Sequence, residues 1–394
     1  MTSTTARTTT PGFRRREDCR LEDLLAVLDE PTDATAFPHA DRVEQGVLVY
    51  EAASVRALLD VPEAADALRA ELAGALADGP GIVVLAGAFE PAVVDRVTAV
   101  FEEVIAAEKA AGRTAGDHFA QPGANDRVWN ALEKVAVADP DAFVAYYAND
   151  LLALAAEAWL GPGYQVTSQV NVVNPGGAGQ TVHRDYHLGF QSPEVTGRYP
   201  ARVHDVSPLL TLQGAVAHCD MPVETGPTLY LPHSQKYAHG YLAYWLEEFQ
   251  AHFVDHHVQL PLRTGDAVFF NPALFHAAGS NHTTDVRRTA NLLQISSAFG
   301  RAMETVDRDR VVRAVYPALL AAAEAGMAPA HLDHAVAASA EGYAFPTNLD
   351  RDPPLDGMTP ASQADHVREA LAARLTPAEL GARLDAVALA KRSH

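Results

Sequence analysis

The predicted fold is decided by GDAVFFNPALFHAAGSN (265–281) and the nearby RRTANLLQIS (287–296). The first segment indicates a turn, a strand, a proline-containing bend and His276, and the second indicates an apolar strand that begins at Arg287. Further β-rich stretches lie upstream between Gly, Pro and Asn turns, over residues 164–173, 209–218, 228–231 and 257–260. Many short strands without long intervening helices predict a β-barrel or a double-sheet jelly roll.

Helical regions flank this β-rich part of the chain. Residues 19–160 are rich in Ala, Leu and Glu at helical spacing, interrupted by one short buried strand at GIVVLAG (81–87), and residues 301–394 are again Ala-rich. We therefore predict a mainly β core over residues 161–300, held between N- and C-terminal helical regions. Residues 1–18 are predicted to form a disordered tail, because they carry too little apolar surface to offset the entropy of ordering.

The composition narrows the classes of function. The 394 residues include 30 Lys and Arg against 50 Asp and Glu, for a net charge of −20, which argues against binding to nucleic acid or to a membrane surface. The sequence has no apolar run long enough for a membrane span and no secretory signal. Cys19 and Cys219 lie outside any zinc-like spacing, so we expect free thiols in a reducing cytoplasm. The oligomeric state stays open.

The motif His-x-Asp is the main candidate for chemistry. It occurs four times, at residues 39–41, 183–185, 218–220 and 331–333. Two imidazoles and one carboxylate on one face of an iron leave positions for a chelating cosubstrate and for dioxygen. The outer two copies lie in predicted helical regions, so the candidates are His183 with Asp185 and His218 with Asp220, each joined by His276.

An arginine follows the downstream histidine. Arg287 lies eleven residues after His276, at the start of the apolar strand. A guanidinium at this position can hold a carboxylate through two hydrogen bonds. A keto acid anchored there would have its other end free to chelate an iron.

Four segments together resemble the phytanoyl-CoA dioxygenase family, which belongs to the Fe(II)/2-oxoglutarate-dependent oxygenase superfamily. They are GQTVHRDYHLGF (179–190), VETGPTLYLPHSQK (223–236), TGDAVFFNPALFHAAGSN (264–281) and RRTANLLQIS (287–296). The resemblance spans residues 165–298 and implies a double-stranded β-helix, a cupin-like jelly roll. It also implies that His183, Asp185 and His276 are the ligands of Fe(II).

The resemblance also implies 2-oxoglutarate as cosubstrate, with ascorbate as the reductant in an assay. Arg287 would bind its far carboxylate, with Arg288 as the alternative if the strand register shifts by one. Thr289 shares a strand face with Arg287 and would support the same carboxylate. Gln169 and Asn171 match positions where the family has polar cosubstrate contacts.

The rival motif at His218 has its own resemblance, since its spacing to His276 is similar to that of the plant-type oxygenases in the same superfamily. We prefer His183. In the phytanoyl-CoA dioxygenase family, a strand that crosses the barrel comes after the strand that carries the first metal ligands. The turn ETGPT (224–228), shortly after Asp220, matches that later crossing, so the first ligands are expected further upstream. His218 would then line the substrate pocket. The family's His-Gly-Ser is His-Ala-Ala at His276, which removes a hydroxyl contact.

The resemblance implies a dioxygenase that hydroxylates or desaturates a small-molecule metabolite, with succinate and CO2 as coproducts. Asp185 favours these outcomes over halogenation, because related halogenases replace this carboxylate with a small residue and leave room for halide. Two alternatives stay open. One is a cupin-like metalloenzyme that does not use 2-oxoglutarate, and the other is a non-catalytic jelly-roll binding module.

Overall fold

The computed structural model describes residues 12–112, 125–354 and 357–394. Its strands are β1 (Arg42–Glu44), β2 (Val47–Glu51), β3 (Ile82–Ala86), β4 (Asn125–Val128), β5 (Gln165–Val173), β6 (Thr211–Ala217), β7 (Leu229–Leu231), β8 (Val258–Gln259), β9 (Ala267–Phe270), β10 (Phe275–Ala277) and β11 (Arg288–Ser296). Its helices are α1 (Leu21–Leu28), α2 (Ala52–Leu59), α3 (Pro62–Ala77), α4 (Pro91–Ala110), α5 (Ala131–Ala138), α6 (Pro140–Tyr147), α7 (Asp150–Leu160), α8 (Pro193–Thr196), α9 (Ala201–Val206), α10 (Gly240–Ala243), α11 (Glu247–His256), α12 (Arg308–Glu324), α13 (Pro329–Ser339), α14 (Gln363–Ala373) and α15 (Pro377–Ala390).

The strands form two sheets. The large sheet has the order β1-β2-β3-β9-β6-β11-β5-β4 and is antiparallel except for the β2–β3 pair. The small sheet has the order β10-β7-β8, and an antiparallel bridge between His183 and His276 extends it by one short segment. This arrangement is the double-stranded β-helix with flanking helices that the sequence predicts, so the fold class is confirmed.

An apolar cluster packs between the two sheets. It includes Val49, Val84 and Phe270 from the large sheet and Tyr230 from the small sheet, all nearly inaccessible to solvent. Tyr230 packs edge-on against Phe270, with their ring centroids 5.2 Å apart. These contacts hold one face of the large sheet against the small sheet and leave a cavity beside them.

The opposite face of the large sheet carries the helices. In β2, Val49 faces the small sheet, whereas the alternating Leu48 and Tyr50 belong to the main core, which also contains α3, α4, α6, α7, α12 and α13 residues. A strand covered on both faces is apolar at every position, which explains the unbroken run VLVY (47–50). The helical regions therefore cover the outside of the β-helix, as predicted.

The prediction of an all-helical N-terminal region with a single strand is incomplete. The predicted strand at residues 81–87 is β3, but β1, β2 and β4 also come from residues 19–160. All four strands pair into the large sheet, with β3 beside β9 and β4 beside β5. Half of the large sheet is therefore supplied from outside the predicted core of residues 161–300.

The N-terminal segment is ordered from residue 12. Residues 1–11 of the predicted disordered tail lie outside the described residues. Residues 12–18 do not fit that prediction, because Phe13 forms an antiparallel bridge with Pro200 and Arg14 pairs with Asp205. Within the described ranges, no helix has both the length and the apolar character that a membrane span requires.

Candidate active site

Three predicted metal ligands come together at one wall of the cavity. His183 lies in the segment that bridges to β10, His276 lies on β10, and Asp185 follows two residues after His183. His183 Nε2 is 3.7 Å from Asp185 Oδ1, and His276 Nε2 is 3.4 Å from Asp185 Oδ2. One ligand atom from each residue lies within 4.8 Å of the others, and a search of the described residues finds no second such group.

Backbone hydrogen bonds orient both imidazoles. His183 Nδ1 donates to the Thr181 carbonyl at 2.8 Å, and His276 Nδ1 donates to the Leu274 carbonyl at 2.9 Å. Because a carbonyl oxygen only accepts, Nδ1 of each ring carries a proton, and Nε2 is the nitrogen that faces the Asp185 carboxylate. This second layer of hydrogen bonds is typical of histidines that bind a metal through Nε2.

The Asp185 carboxylate is ionised at neutral pH. Burial raises its pKa, but the attraction of His183, the contact with His276 and a hydrogen bond from the Gln213 amide together hold the pKa well below its usual range. Two imidazoles and one carboxylate form the donor set that suits Fe(II) with open coordination positions. The three residues therefore fit the predicted metal.

Arg184, the residue between the ligands His183 and Asp185, points away from the cavity. Its Nη2 donates to the carbonyls of Ser234 at 2.5 Å and Tyr237 at 3.1 Å. Burial lowers the pKa of this guanidinium to about 10. A Cβ atom at Gly240 would lie 1.8 Å from the guanidinium carbon, so any larger residue there would displace the Arg184 side chain. Arg184 thus ties the ligand segment to the loop behind it.

The rival motif at His218 is not part of this site. Ala217 faces the cavity, so the next side chain points to the opposite face of the sheet, among the helices. There His218 is hydrogen-bonded to Thr98 Oγ1 at 2.8 Å and to the Tyr146 hydroxyl at 3.0 Å. Burial lowers the pKa of His218 to about 3, and the imidazole stays neutral. The expectation that His218 lines the pocket is therefore wrong.

The two candidate arginines point to opposite sides of the large sheet, with Arg288 as the first residue of β11 and Arg287 just before it. Arg287 is 45% exposed and lies 3.5 Å from Glu102 and 3.5 Å from Asp126 on the outer side of the sheet. Arg288 is 5% exposed and lines the cavity. The expectation that Arg287 faces the cavity is corrected, because β11 pairs with β5 in the register that turns Arg288 inward.

The other predicted cosubstrate contacts, Thr289, Asn171 and Gln169, also differ in whether they reach the cavity. Thr289 shares the outer face with Arg287, so its hydroxyl does not reach the cavity; it donates to the Arg287 carbonyl at 3.4 Å. Asn171 lines the cavity and is 5% exposed, and its Oδ1 has no hydrogen-bond partner among the described residues. Gln169 lies below the cavity surface, where its Nε2 donates to Gln294 Oε1 at 3.2 Å.

The cavity between the sheets has a volume of about 690 Å³. His183, Asp185, His276 and Arg288 all contribute to its wall. Most of the remaining surface is apolar or aromatic and includes Phe190, Met221, Tyr230, Trp245, Phe270 and Leu292. This volume is typical of a pocket for a small molecule.

Gln213 is a cavity residue that the sequence analysis missed. It lies on β6, donates its amide N–H to Asp185 and is 8% exposed. A signal was present in the sequence, because TLQGAVA (211–217) has one polar residue with a long side chain inside an otherwise apolar buried strand. Buried polar side chains of this kind usually have a specific partner.

A family model described as phytanoyl-CoA dioxygenase matches residues 77–289, which is more than half of the chain. The chain belongs to the phytanoyl-CoA dioxygenase family. This membership supports a 2-oxoglutarate-dependent oxygenase, and His183, Asp185 and His276 provide a metal site consistent with it. A search of curated proteins finds no significant match to the sequence.

Solved structures similar to this phytanoyl-CoA dioxygenase family member include EctD from S. alaskensis with bound Fe, at 19% identity and a TM-score of 0.44, covering 60% of this chain and 79% of that chain. AviO1 from Streptomyces viridochromogenes Tue57 is 21% identical with a TM-score of 0.41, covering 57% and 93%. The non-heme alpha ketoglutarate dependent epimerase SnoN from nogalamycin biosynthesis is 19% identical with a TM-score of 0.37, covering 60% and 84%.

Proposed function

We propose that this family member is an Fe(II)/2-oxoglutarate-dependent dioxygenase that hydroxylates or desaturates a small-molecule metabolite. Succinate and CO2 are the coproducts. One observation carries the proposal: the cluster of His183, Asp185 and His276 shares a single cavity with the buried guanidinium of Arg288. A metal site and a carboxylate-binding group in one apolar cavity are what a keto-acid-dependent oxygenase needs.

The residues that would hold the metal are His183 and His276 through Nε2 and Asp185 through one carboxylate oxygen. Fe(II) bound there supplies dioxygen activation coupled to the oxidation of 2-oxoglutarate. The protein contributes imidazoles whose Nδ1 is held by a backbone carbonyl, and an ionised carboxylate. The apolar wall of the cavity keeps water away from the reacting groups.

Arg288 is our candidate for the group that binds the far carboxylate of 2-oxoglutarate. Burial lowers the pKa of Arg288 to about 10, so the guanidinium is still protonated at neutral pH. Within the described ranges no carboxylate pairs with it, and its Nη1 donates only a 3.4 Å hydrogen bond to the Gly279 carbonyl. A buried cation without an anionic partner favours binding of an anion.

Asn171 is proposed as a further polar contact of the cosubstrate, since it lines the cavity on β5 directly beside β11. Gln169 would contribute indirectly, because its hydrogen bond to Gln294 holds the side chain of Gln294 in place in the cavity wall. Thr289 has no place in this proposal because of its outward position. The cavity size and the acidic charge favour a small substrate over nucleic acid, and the free thiols Cys19 and Cys219 favour a cytoplasmic location.

The test is succinate formation from 2-oxoglutarate by the metal-free protein after addition of Fe(II) and ascorbate. We expect slow turnover without substrate, lost in Asp185→Ala, and incubation with a cell extract should yield a product heavier by one oxygen or lighter by two hydrogens. Iron-dependent turnover of a substrate without 2-oxoglutarate would instead indicate a cupin-like metalloenzyme. Absence of both metal binding and succinate would indicate a binding module and contradict the proposal.

A further inference from the structure

The amide of Gln213 has a fixed orientation. Its side chain lies on the inner face of β6, opposite Gln294 of β11, and hydrogen-bonds to Asp185 Oδ2. A carboxylate only accepts hydrogen bonds, so the group that faces Asp185 is the amide nitrogen. The carbonyl oxygen of Gln213, Oε1, must therefore point elsewhere.

Gln213 Oε1 is buried and has no hydrogen-bond partner among the described residues. The side chain is more than nine-tenths buried and lines the cavity next to the three predicted metal ligands. Buried carbonyl oxygens in folded proteins almost always accept a hydrogen bond. None of the described residues supplies a partner for Oε1, and the cavity that this side chain lines is the place from which a bound molecule can supply one.

The cosubstrate cannot be this partner. At neutral pH both carboxylates of 2-oxoglutarate are ionised and its keto oxygen is an acceptor, so the molecule has no hydrogen-bond donor. Gln213 Oε1 needs an O–H or N–H group. The donor has to come from another occupant of the cavity, either water or a substrate beside the metal site, where Phe190, Trp245 and Leu292 offer apolar contacts.

We propose that Gln213 acts through both ends of its amide. Nε2 positions Asp185 as a ligand, and Oε1 accepts a hydrogen bond from a hydroxyl, amine or amide N–H of the substrate. The substrate is then a largely apolar small molecule with a hydrogen-bond donor close to the oxidised carbon. This inference rests on the proposed function, because it assumes that Asp185 binds the metal.

The positioning role is tested by titrating metal-free protein with Co(II) and following its visible absorption. Gln213→Leu removes both ends of the amide, and Gln213→Glu keeps an acceptor but loses the N–H donor. We expect both variants to bind Co(II) about tenfold more weakly than the wild type, a typical effect of losing a second-layer partner. The matched control is Gln165→Leu, which removes an amide from β5 that bonds to the Ser297 and Gly300 carbonyls outside the cavity.

Wild-type affinity in Gln213→Leu would overturn the positioning role. Failure of the proposed function gives a different result, because then Asp185→Ala would bind Co(II) as tightly as the wild type. Thermal unfolding of each metal-free variant distinguishes the positioning role from a general folding defect. A positioning role predicts that the Gln213 variants bind Co(II) more weakly than Gln165→Leu but unfold at a similar temperature.

The acceptor role is tested with matched pairs of aromatic and alicyclic alcohols and their methyl ethers. The protein is saturated with Co(II) and 2-oxoglutarate, and quenching of cavity tryptophan fluorescence reports binding, since Trp129 and Trp245 line the cavity. We expect the wild type and Gln213→Glu to prefer the alcohol by at least about tenfold, and Gln213→Leu to lose this preference. No alcohol preference in the wild type, or an equal one in Gln213→Leu, would overturn the acceptor role and leave water as the partner of Oε1.

Discussion

The neighbouring arginines where β11 begins allow a sharp test of the cosubstrate site. Arg288→Ala removes a guanidinium that is 5% exposed and faces the cavity. Truncation would leave the 2-oxoglutarate carboxylate buried without its partner, which costs about 2–5 kcal/mol. Since about 1.4 kcal/mol is a factor of ten in affinity, we expect the KM for 2-oxoglutarate to rise roughly 30-fold to several thousand-fold.

Arg287→Ala is the matched control for this variant. Its guanidinium is 45% exposed and makes two ion pairs of 3.5 Å at the surface, and such pairs contribute about 0–1 kcal/mol. We expect its KM for 2-oxoglutarate to stay within about threefold of the wild type. The measurement is succinate formation against 2-oxoglutarate concentration, with iron content determined in parallel and unchanged in both variants. A large rise of KM in Arg287→Ala together with a normal Arg288→Ala would refute the assignment.

Three further predictions concern the histidines and the carboxylate. His183→Ala and Asp185→Ala should lose most Fe(II) binding by calorimetry, whereas His218→Ala should keep it and lower only the melting temperature. The pKa of His218 is about 3 in the folded protein and 6.5 in the unfolded chain, so between these pH values only the unfolded chain binds a proton at His218. The free energy of unfolding therefore falls as the pH drops from about 6.5 to about 3. Urea unfolding of metal-free His218→Gln should therefore show a weaker loss of stability on acidification, by up to about 1.4 kcal/mol per pH unit. With excess chloride or bromide, the wild type should give hydroxylated or desaturated product, and a halogen isotope pattern in mass spectrometry would contradict Asp185 as a ligand.

The central strands could be predicted because their signals are local. β9 lies within the segment 265–281 where a strand is predicted, and β5, β6, β7 and β11 differ from the predicted ranges by only one or two residues at either end. Turn residues and short apolar runs are sufficient to locate such strands. The β-rich surrounding excluded only the outer two His-x-Asp motifs, and the preference for His183 over His218 came from the family resemblance at the turn that follows Asp220.

The register of β11 could not be predicted from its pattern. Over RTANLLQI (288–295) the inward residues are Arg, Ala, Leu and Gln, and the outward ones are Thr, Asn, Leu and Ile, so both faces mix polar and apolar side chains. Strands that are covered on both faces lack the alternation of polar and apolar residues that would show which side chains point inward. The choice between Arg287 and Arg288 therefore depends on pairing with β5 and β6, which is long-range information.

The strands of the N-terminal region escaped prediction for a related reason. β1 (RVE) and β4 (NDRV) are short and polar, and β2 lies directly before a helix. Their stability comes from partners far along the chain, since β4 pairs with β5 and the β2–β3 pair joins the sheet through β9. Short edge strands of this kind have little sequence pattern from which a strand can be predicted.

The shared large sheet has a practical consequence for dividing the protein. A fragment of residues 161–300 would keep β9 and β5 but lose β3 and β4, and each remaining strand would expose a row of unpaired amide and carbonyl groups. Open strand edges of this kind recruit other chains and aggregate. The fragment would also lose many of the helices that cover the apolar outer face. Cutting the chain at the borders of the β-rich segment, for crystallisation or screening, is therefore expected to give an aggregating fragment.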